Sequence, residues 1–407
     1  MGQSPPGSTY NENRVGLPFY QGAADFGPRF PTRRVWCSAP SRIAEAGDIL
    51  LSIRAPIGDV NLASEKCAVG RGLAIVRARR KEDQTFVEFA LRAARYDWES
   101  MEGSGTVFAN ATRSQLERLA IPWFNAESRQ AIAHILSSLD DKIELNRRMN
   151  QTLEDICRAL FKFWFVNFGP VRAKQEGRWK KGESLPGMPA NMWDLWPSEF
   201  EESEIGEIPK GWKVRPVSSI VEVNPERRLA KGEVARYVEM GQLSTSSARV
   251  GGWLDRAYTS GSRFQNGDVL VARITPCLEN GKTAYVDFLK GSKIGWGSTE
   301  LLVLSARKPL PPQWTYCLAR TDHFRMHLVQ NMTGTSGRQR APAECLDSLV
   351  VAIPMNEITQ RFGQFVTPWF EKFKANDEES STLAGARDAL LPKLLSGEIR
   401  VPVNGGK

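Results

Sequence analysis

The chain has 407 residues, a formal net charge of +8 at pH 7, and 41% hydrophobic and 25% charged residues. Domains run to roughly 100–200 residues, so the length exceeds one ordinary core, and the composition excludes wholesale disorder. No apolar run approaches the ~20 residues that cross a bilayer, and the six cysteines lack the C-x-x-C spacing of zinc or redox sites. We therefore expect a cytoplasmic protein with reduced cysteines, whose positive charge favours a polyanionic partner.

Two matching segments predict a turn followed by a β-strand in each half of the chain. The first reads GDILLS from Gly47, and the second reads GDVLVA from Gly267. Gly-Asp is typical of turns, and the β-branched and leucine run after it is typical of strands. Arg54 follows the first segment and Arg273 follows the second, each shortly before a proline. The chain therefore contains an internal repeat.

Two long helices are predicted with the same apolar pattern. Steps of four and then three residues from Ile132 to Trp164 follow one seam, and adding 230 to each number gives a second seam from Phe362 to Leu394. This spacing keeps one face toward a partner helix. Because Pro368 removes a backbone hydrogen bond, we expect the second helix to begin late or to kink. Polar residues occupy the fifth and sixth seam positions of both helices, where they fix the register of a helix pair: Asn146, Asn150, Asn376 and Ser380.

The repeat predicts an order of globular domain, long helix, linking strap, globular domain and long helix. The segments are a first domain over 1–125, a helix over 126–168, a strap over 169–205, a second domain over 206–356, a helix over 357–400 and a tail over 401–407. The second domain opens with IPKGW from Ile208, which has no counterpart in the first. We expect a first domain shortened at its N-terminus, either because the start is misassigned or because the domain lacks a strand.

Enzymatic classes find little support in the motifs. The chain has no G-x-x-x-x-G-K-[ST] phosphate loop and no Asp/Asn-Pro-Pro-aromatic motif of amino-methyltransferases. The glycine-rich stretch at 103–105 follows a charged, helical segment instead of a strand. Cys317, His323 and His327 have spacing that fits one metal, but a helix packed on a sheet explains them as well. We predict no catalytic set and no metal site.

The arginines point to DNA, because they recur in both halves and a guanidinium reads guanine edges or clamps phosphates. For any single arginine, a solvated or salt-bridged role remains the alternative. The DNA-binding candidates are Gln21, Arg33, Arg34, Arg54, Thr106, Arg113, Arg273, Lys282, Thr335, Arg338 and Arg340.

Several segments resemble the specificity subunits of type I restriction-modification enzymes. They are MGQSPPGSTY from Met1, LPFYQG from Leu17, GDIL from Gly47 with Arg54-Ala55-Pro56, EIPKGW from Glu207, and LPKLLSGEI from Leu391. The resemblance covers nearly the whole chain, and it departs from the family at the start, where members usually carry a segment like 208–223.

The resemblance implies an α/β (α+β) fold with two mixed target-recognition domains, separated by two long antiparallel coiled-coil helices in a pseudo-two-fold repeat. Each domain would read half of a bipartite duplex site, while the helices set the spacer and dock partners. The spacing agrees, since neighbouring grooves on one face lie ~34 Å apart and the first seam rises about 48 Å. The implied partners are double-stranded DNA, two modification subunits and restriction subunits. No cofactor is expected on this chain, because S-adenosylmethionine, ATP and magnesium belong to the partners.

Two alternatives of other classes stay open at this point. One is a single-chain DNA methyltransferase or endonuclease with its own activity. The other is a coiled-coil scaffold without any nucleic-acid role. Cofactor-dependent methylation by the isolated chain would favour the first, and failure to bind any duplex at any salt concentration would favour the second.

Overall fold

The computed structural model describes residues 1–95, 110–291, 293–335, 337–354 and 356–402. The chain divides into two compact units. Unit 1 contains Met1–Leu145 and Glu379–Lys407, and unit 2 contains Asn146–Glu378. Each unit holds one globular domain together with part of each long helix.

The globular domain of unit 1 is built from two small sheets. Its strands are β1 (Tyr10–Asn11), β2 (Leu17–Tyr20), β3 (Val35–Cys37), β4 (Ile43–Ala44), β5 (Ile49–Ser52), β6 (Val60–Leu62), β7 (Cys67–Val69) and β8 (Leu73–Val76). One sheet has the order β1-β3-β2-β7-β4, in which β2 and β7 are parallel. The other is antiparallel with the order β6-β5-β8. Helices α1 (Gln84–Ala93) and α2 (Arg113–Arg118) follow.

The domain of unit 2 has more strands and a hairpin ahead of it. The hairpin consists of β9 (Phe200–Ser203) and β10 (Gly206–Pro209). The remaining strands are β11 (Lys213–Pro216), β12 (Val221–Val223), β13 (Val234–Val238), β14 (Leu254–Ala257), β15 (Ser262–Phe264), β16 (Val269–Ala272), β17 (Thr283–Tyr285), β18 (Gly295–Gly297), β19 (Leu301–Ala306) and β20 (Val350–Ile353). They form sheets of order β14-β13-β18-β15 and β12-β19-β16-β17, and β11 pairs with β20.

The two domains share one strand framework, as the repeat predicts. The order β3-β2-β7-β4 in unit 1 corresponds to β14-β13-β18-β15 in unit 2, each with one parallel pair at its centre. The order β6-β5-β8 likewise corresponds to β17-β16-β19. Ile49 pairs with Val76, and Val269 pairs with Leu304, so the registers match as well.

The two predicted turns have the same geometry. Gly47 and Gly267 have φ of 87° and 91°, a left-handed conformation that glycine adopts without a Cβ clash. In each turn the aspartate carboxylate accepts a backbone N–H bond of 2.7 Å, Asp48 from Glu45 and Asp268 from Gln265. The following strands β5 and β16 are buried along their full lengths. The turn-and-strand prediction is confirmed in both copies.

The two long helices are α3 (Ala126–Phe161), which continues as a π-helix over Lys162–Val166, and α8 (Asn356–Ser396). All ten seam positions of each helix are buried or half-buried, which confirms the 4-then-3 pattern. Of the two expectations for the second helix, the late start is wrong, because α8 begins at Asn356 and runs through Pro368, while the kink stays a prediction. A proline removes one hydrogen bond, and the buried face around it, with Val366 and Phe370, outweighs that loss.

The helices pair antiparallel within each unit. In unit 2 the side chain of Asn146 bonds to Asn376, while that of Asn150, further along α3, reaches back to Phe373. In unit 1 Leu136, on α3, shares a buried apolar cluster with Leu394, on α8. Later residues of α3 therefore contact earlier residues of α8, which is the antiparallel arrangement.

The strap between the domains is folded and belongs to unit 2. It contains α4 (Gly169–Gln175), a 3-10 helix over Ala190–Leu195 and the β9–β10 hairpin. Trp179 and Trp196 are buried in the core of unit 2. The Lys174 ammonium donates 2.5 Å bonds to the carbonyls of Trp193 and Trp196 and lies over the Trp193 ring. Tryptophans therefore attach the strap to the core, and burial lowers the pKa of Lys174.

Three short helices complete unit 2. Helix α5 (Val217–Ile220) follows β11, and α6 (Pro312–Ala319) and α7 (Asp322–Gln330) lie between β19 and β20 in the chain.

The six cysteines form no disulfide, and five are buried. Among the described residues, no helix is both long and apolar enough to span a membrane.

Candidate nucleic-acid interface

The unit 2 candidates meet at the C-terminal end of strand β16. Arg273 follows the strand directly, and its backbone N–H donates to the Glu300 carbonyl at 3.0 Å. Its carbonyl accepts from Ala341 at 2.9 Å. Lys282 lies across the same end, where its carbonyl accepts the Ala272 N–H at 3.0 Å. These backbone contacts bring two cationic residues to one end of the strand, where the Lys282 ammonium donates to the Met240 carbonyl at 3.2 Å.

A hairpin beside this strand end displays the remaining unit 2 candidates. Thr333 and Arg340 form its base through reciprocal 2.9 Å backbone bonds, and Arg340 also bridges to Ile274. Thr335 and Arg338 lie at the exposed tip. The structure therefore brings all five sequence-predicted residues of this domain to one surface.

The equivalent end of β5 gathers candidates of unit 1. Arg54 is exposed and bridges to Asn110, as Ile274 bridges to Arg340 in unit 2. Gln21 lies nearby, because its carbonyl accepts from Gly72, whose own carbonyl accepts from Ile53. These contacts place Gln21 and Arg54 at one edge.

Three further unit 1 candidates have carboxylate partners. Arg34 bonds to Asp25 at 2.5 Å, and Asp25 also accepts the Gln21 N–H at 2.6 Å. Arg33 pairs with Glu65. Arg113, in the first turn of α2, pairs with Glu117 at 2.8 Å. Thr106 lies outside the described residues.

Ion pairing separates the candidates into two groups. Arg340 forms a fork with the Glu300 carboxylate at 2.7–2.9 Å, so it has a partner already, as the paired arginines of unit 1 have. Arg54 and Arg338 are exposed and form no ion pair within the described parts of the chain. The Arg273 Nε is buried without a hydrogen-bond partner there. Arg54, Arg273 and Arg338 are therefore the guanidiniums best placed to bind an external acceptor.

The four register residues occupy the middle of the long helices. The Asn146 amide donates to the Asn376 carbonyl at 3.4 Å, and these two residues are equivalents 230 apart in the repeat. The Asn376 amide donates to the Asn150 Oδ1 at 2.7 Å, and the Asn150 amide donates to Asp377 at 2.8 Å. Ser380 is half-buried on the same seam. A residue that meets its own repeat equivalent marks the centre of an antiparallel pairing.

Buried ion pairs connect the globular domain of unit 2 to the long helices, and the sequence analysis did not predict them. Arg320, at the end of α6, donates to Glu154 of α3 at 3.0 Å and to the Tyr316 hydroxyl at 2.8 Å. It also donates to the carbonyls of Thr245, Ser247 and Gly281 at 3.0–3.1 Å. Burial raises the pKa of Glu154, although Arg320 opposes this effect.

A second buried arginine joins the same domain to α8. Arg249 donates to Asp287 at 2.6 Å and to Asp377 at 2.7 Å. Burial raises the pKa of Asp377, against the lowering effect of the Arg249 bond. Since Asp377 also accepts from Asn150, one network links the globular domain of unit 2 to the polar centre of the helix pair.

Unit 1 contains a corresponding network. Arg92, near the end of α1, donates to Asp140 of α3 at 2.6 Å, and Arg387 of α8 donates to the same carboxylate at 2.5 Å. Burial raises the pKa of Glu88, which pairs with Arg92. The sequence contained a signal for these contacts, since Arg387 interrupts the second apolar seam and Asp140 follows a position of the first. That the two residues pair with each other can be seen only in the folded structure.

The metal alternative gains nothing from the geometry. His327 Nε2 is 2.8 Å from the Cys345 carbonyl, and Cys317 is 3.4 Å, sulfur to sulfur, from Cys157. Burial raises the pKa of Cys317 well above its usual value. No group of three or more candidate ligands comes together among the described residues.

Comparisons with known proteins agree with this arrangement. Residues 39–155 match the family model described as the type I restriction modification DNA specificity domain. The type I restriction enzyme MjaIX specificity subunit of Methanocaldococcus jannaschii is 26% identical over 92% of this chain and 83% of its own length. The HindI specificity subunit of Haemophilus influenzae is 26% identical over 73% of this chain and 72% of its own length.

Two further matches concern part of the sequence and the fold. The putative MjaX specificity subunit of M. jannaschii is 38% identical over 43% of this chain, and the match spans 40% of that relative's length. The crystal structure of the type I system S subunit from M. genitalium has the same fold, with a TM-score of 0.52 and 14% identity over 97% of this chain and 92% of that one. Over most of its length the chain is therefore similar in sequence to type I restriction-modification specificity subunits, and residues 39–155 match their DNA specificity domain.

Proposed function

We propose that this chain is the DNA-recognising, non-catalytic subunit of a type I restriction-modification complex. Each globular domain reads one half of a bipartite duplex site, and the long helices set the spacer and dock two modification subunits. The observation that carries this proposal is the repeated strand end. Two domains with one strand framework each present an arginine after a buried strand, Arg54 in one and Arg273 in the other.

The strand end of unit 2 suits base reading because the backbone of Arg273 is held while its Nε lacks a hydrogen-bond partner among the described residues. Arg273 has both backbone polar groups bonded, to Glu300 and Ala341, while its Nε has no partner. An arginine whose backbone is already held loses less freedom when its guanidinium forks onto guanine O6 and N7. The neighbouring hairpin adds Thr335 and Arg338, which can contact bases or phosphates.

The chemistry of the complex then belongs to other subunits. In this proposal the modification subunits bind S-adenosylmethionine and methylate adenine, whereas restriction subunits hydrolyse ATP with magnesium and cut DNA. The chain itself binds no cofactor and works in the cytoplasm. The domain boundaries follow the repeat, with recognition domains over 1–125 and 206–356, spacer helices over 126–168 and 357–400, a strap over 169–205 and a tail over 401–407.

The test is a genome-wide map of methylated adenines in a host that expresses this chain with its modification partner and has no other adenine methylation. We expect one bipartite motif with an unread spacer. A motif with a single half would show that one domain does not read DNA. Methylation by the purified chain alone would support a single-chain enzyme instead, and failure of the chain with its partner to bind any duplex, even at low salt, would support a scaffold.

A further inference from the structure

A second basic surface lies in unit 2, away from the strand-end site. It is a cleft of about 550 Å³ between β11, β20 and the turn that precedes α6. Four exposed cations line it: Lys213, Arg215, Arg307 and Lys308. No carboxylate is among its lining residues, and none of the four cations forms an ion pair within the described residues.

Helix ends add to the positive potential of this cleft. Pro309 and Leu310, just before α6, line it, and α6 has no side-chain cap at its N-terminus. Thr359, in the first turn of α8, lines it as well and is 2% exposed. Helix N-termini carry partial positive charge and attract anions. Glu357 in the first turn of α8 is exposed and offsets part of this charge.

The cations are arranged along an edge. Lys213 and Arg215 pair with Ile353 and Val351 on β20, so they occupy alternate positions of one strand and point to the same face. Two residues of a strand span ~7 Å, which is close to the distance between successive phosphates on one nucleic-acid strand. Arg307 is held by a 3.0 Å bond from its N–H to the Ile220 carbonyl.

The cleft and the strand-end site lie at opposite ends of one strand. Glu300, which accepts from Arg273, comes just before β19, and Arg307 comes just after it. Six residues of strand separate them by ~20 Å, about the width of a duplex. The cleft therefore lies a full strand length away from the residues proposed to read bases.

The first domain has basic residues at the matching place. β8 corresponds to β19 by register, and Arg77, Arg79 and Arg80 follow it. Arg77 pairs with Asp48 and Arg80 with Glu82, whereas Arg79 is exposed. Basic residues after this strand are thus a repeated feature of the framework.

We propose that the cleft binds backbone phosphates of DNA that lies outside the bipartite target. This inference rests on the proposed function, because it takes DNA as the polyanion. The side chains act here as phosphate clamps without base reading, so the contact adds affinity and salt dependence and leaves the recognised sequence unchanged.

The test compares double variants in the full chain assembled with its modification partner. The two cleft variants are Arg307→Ser with Lys308→Ser, and Lys213→Ser with Arg215→Ser. The matched control is Lys180→Ser with Lys181→Ser, which removes two adjacent exposed cations of the strap. Binding is measured over a salt series to a short duplex that contains only the methylated motif, and to a duplex extended on both sides.

On the extended duplex, each cleft variant should lower the slope of log K against log salt by about 1.8, since each lost phosphate contact contributes about 0.9. The control and the short duplex should show no such change, and the methylated motif should stay the same. Lys213→Arg with Lys308→Arg keeps the charges and should retain the slope. Thermal unfolding midpoints equal to that of the unmodified chain exclude misfolding as the cause.

Slopes equal to the control on the extended duplex would overturn the proposal. An equal loss on the short duplex would also overturn it, because the cleft would then contact the target. Weaker binding of the modification subunit without a change in the DNA slope would indicate an acidic protein partner instead. Failure of the proposed function looks different, because the unmodified assembly would then show no preference for the motif duplex.

Discussion

The two recognition domains share a strand framework, but the aspartate of their repeated turn pairs with arginines from different segments. Asp48 and Asp268 accept the same backbone bond, yet Asp48 pairs with Arg77, which is 56% exposed, and Asp268 pairs with Arg227, which is 7% exposed. Arg77 follows β8, whereas Arg227 follows β12. The aspartate closes the turn in both domains by accepting a backbone N–H bond. The arginine that pairs with it comes from a different segment in each domain. Equivalent positions therefore carry unequal energies, and substitutions reveal the difference.

The largest difference is expected at the arginines that join each domain to the helices. Arg320→Met leaves Glu154 buried with only the Tyr316 hydroxyl as a donor, so we expect the free energy of unfolding to fall by about 3–5 kcal/mol. Arg92→Met also removes the partner of the buried Glu88, but Arg387 still pairs with Asp140, so we expect a smaller loss of about 2 kcal/mol. Urea unfolding of both variants measures this, and equal losses would contradict it.

The Arg320→Met loss should depend on pH. The pKa of Glu154 is raised by burial above its usual value of 4.5, so the folded state binds this proton more tightly than the unfolded state. Protonation therefore favours the folded state at low pH, and this contribution is lost as pH rises through the raised pKa. Lowering the pH from about 8 to about 5 should shrink the gap between variant and parent. A Glu154→Gln background should remove that dependence.

The second-largest difference in stability is expected between substitutions of the two turn aspartates. Asp268→Ala leaves the buried Arg227 without its carboxylate partner, and we expect the free energy of unfolding to fall by about 3 kcal/mol. Asp48→Ala leaves Arg77 free to reach water and should cost about 1–2 kcal/mol, mainly the bond to the Glu45 N–H. Differential scanning calorimetry compares the two. A larger loss for Asp48→Ala would show that exposure of the arginine does not set the cost.

The strand-end arginines should affect DNA binding more than stability. Arg54→Ala and Arg273→Ala should each weaken binding to the motif duplex by about 1–3 kcal/mol if the contact is bidentate to a base. Each variant should relax a different half of the methylated motif, since each arginine belongs to a different domain. Adenine methylation maps of the two variants provide the measurement. Unchanged motifs in both would remove these arginines from the site.

The smallest effect is expected at Arg113. It forms an i,i+4 pair with Glu117 on the surface, and both side chains are more than half exposed. Arg113→Ala should therefore change the free energy of unfolding by no more than about 0.5 kcal/mol. A DNA-binding loss as large as that of Arg54→Ala would show that Arg113 exchanges its carboxylate partner for DNA.

Much of the fold followed from short-range patterns. The Gly47 and Gly267 turns, the strands after them and the two seams were predicted, because each depends on residues close in sequence. Of the late start or kink expected of the second helix, the late start was wrong, since the rule about Pro368 weighed one hydrogen bond and not the burial of its neighbours. For the site, the sequence repeat predicted Arg54 and Arg273 as candidates. It did not show that Arg340 forms an ion pair with Glu300, 40 residues away.

The sequence by itself determined the repeat, the strand and helix periods, and the resemblance to type I specificity subunits, since these are properties of order along the chain. Only the tertiary structure decided which charges are paired. Arg320 meets Glu154 across 166 residues, and Arg387 meets Asp140 across 247. Such contacts depend on which faces the fold brings together. The same reason applies to the basic cleft, where residues from 213 to 359 share one surface that no local pattern shows.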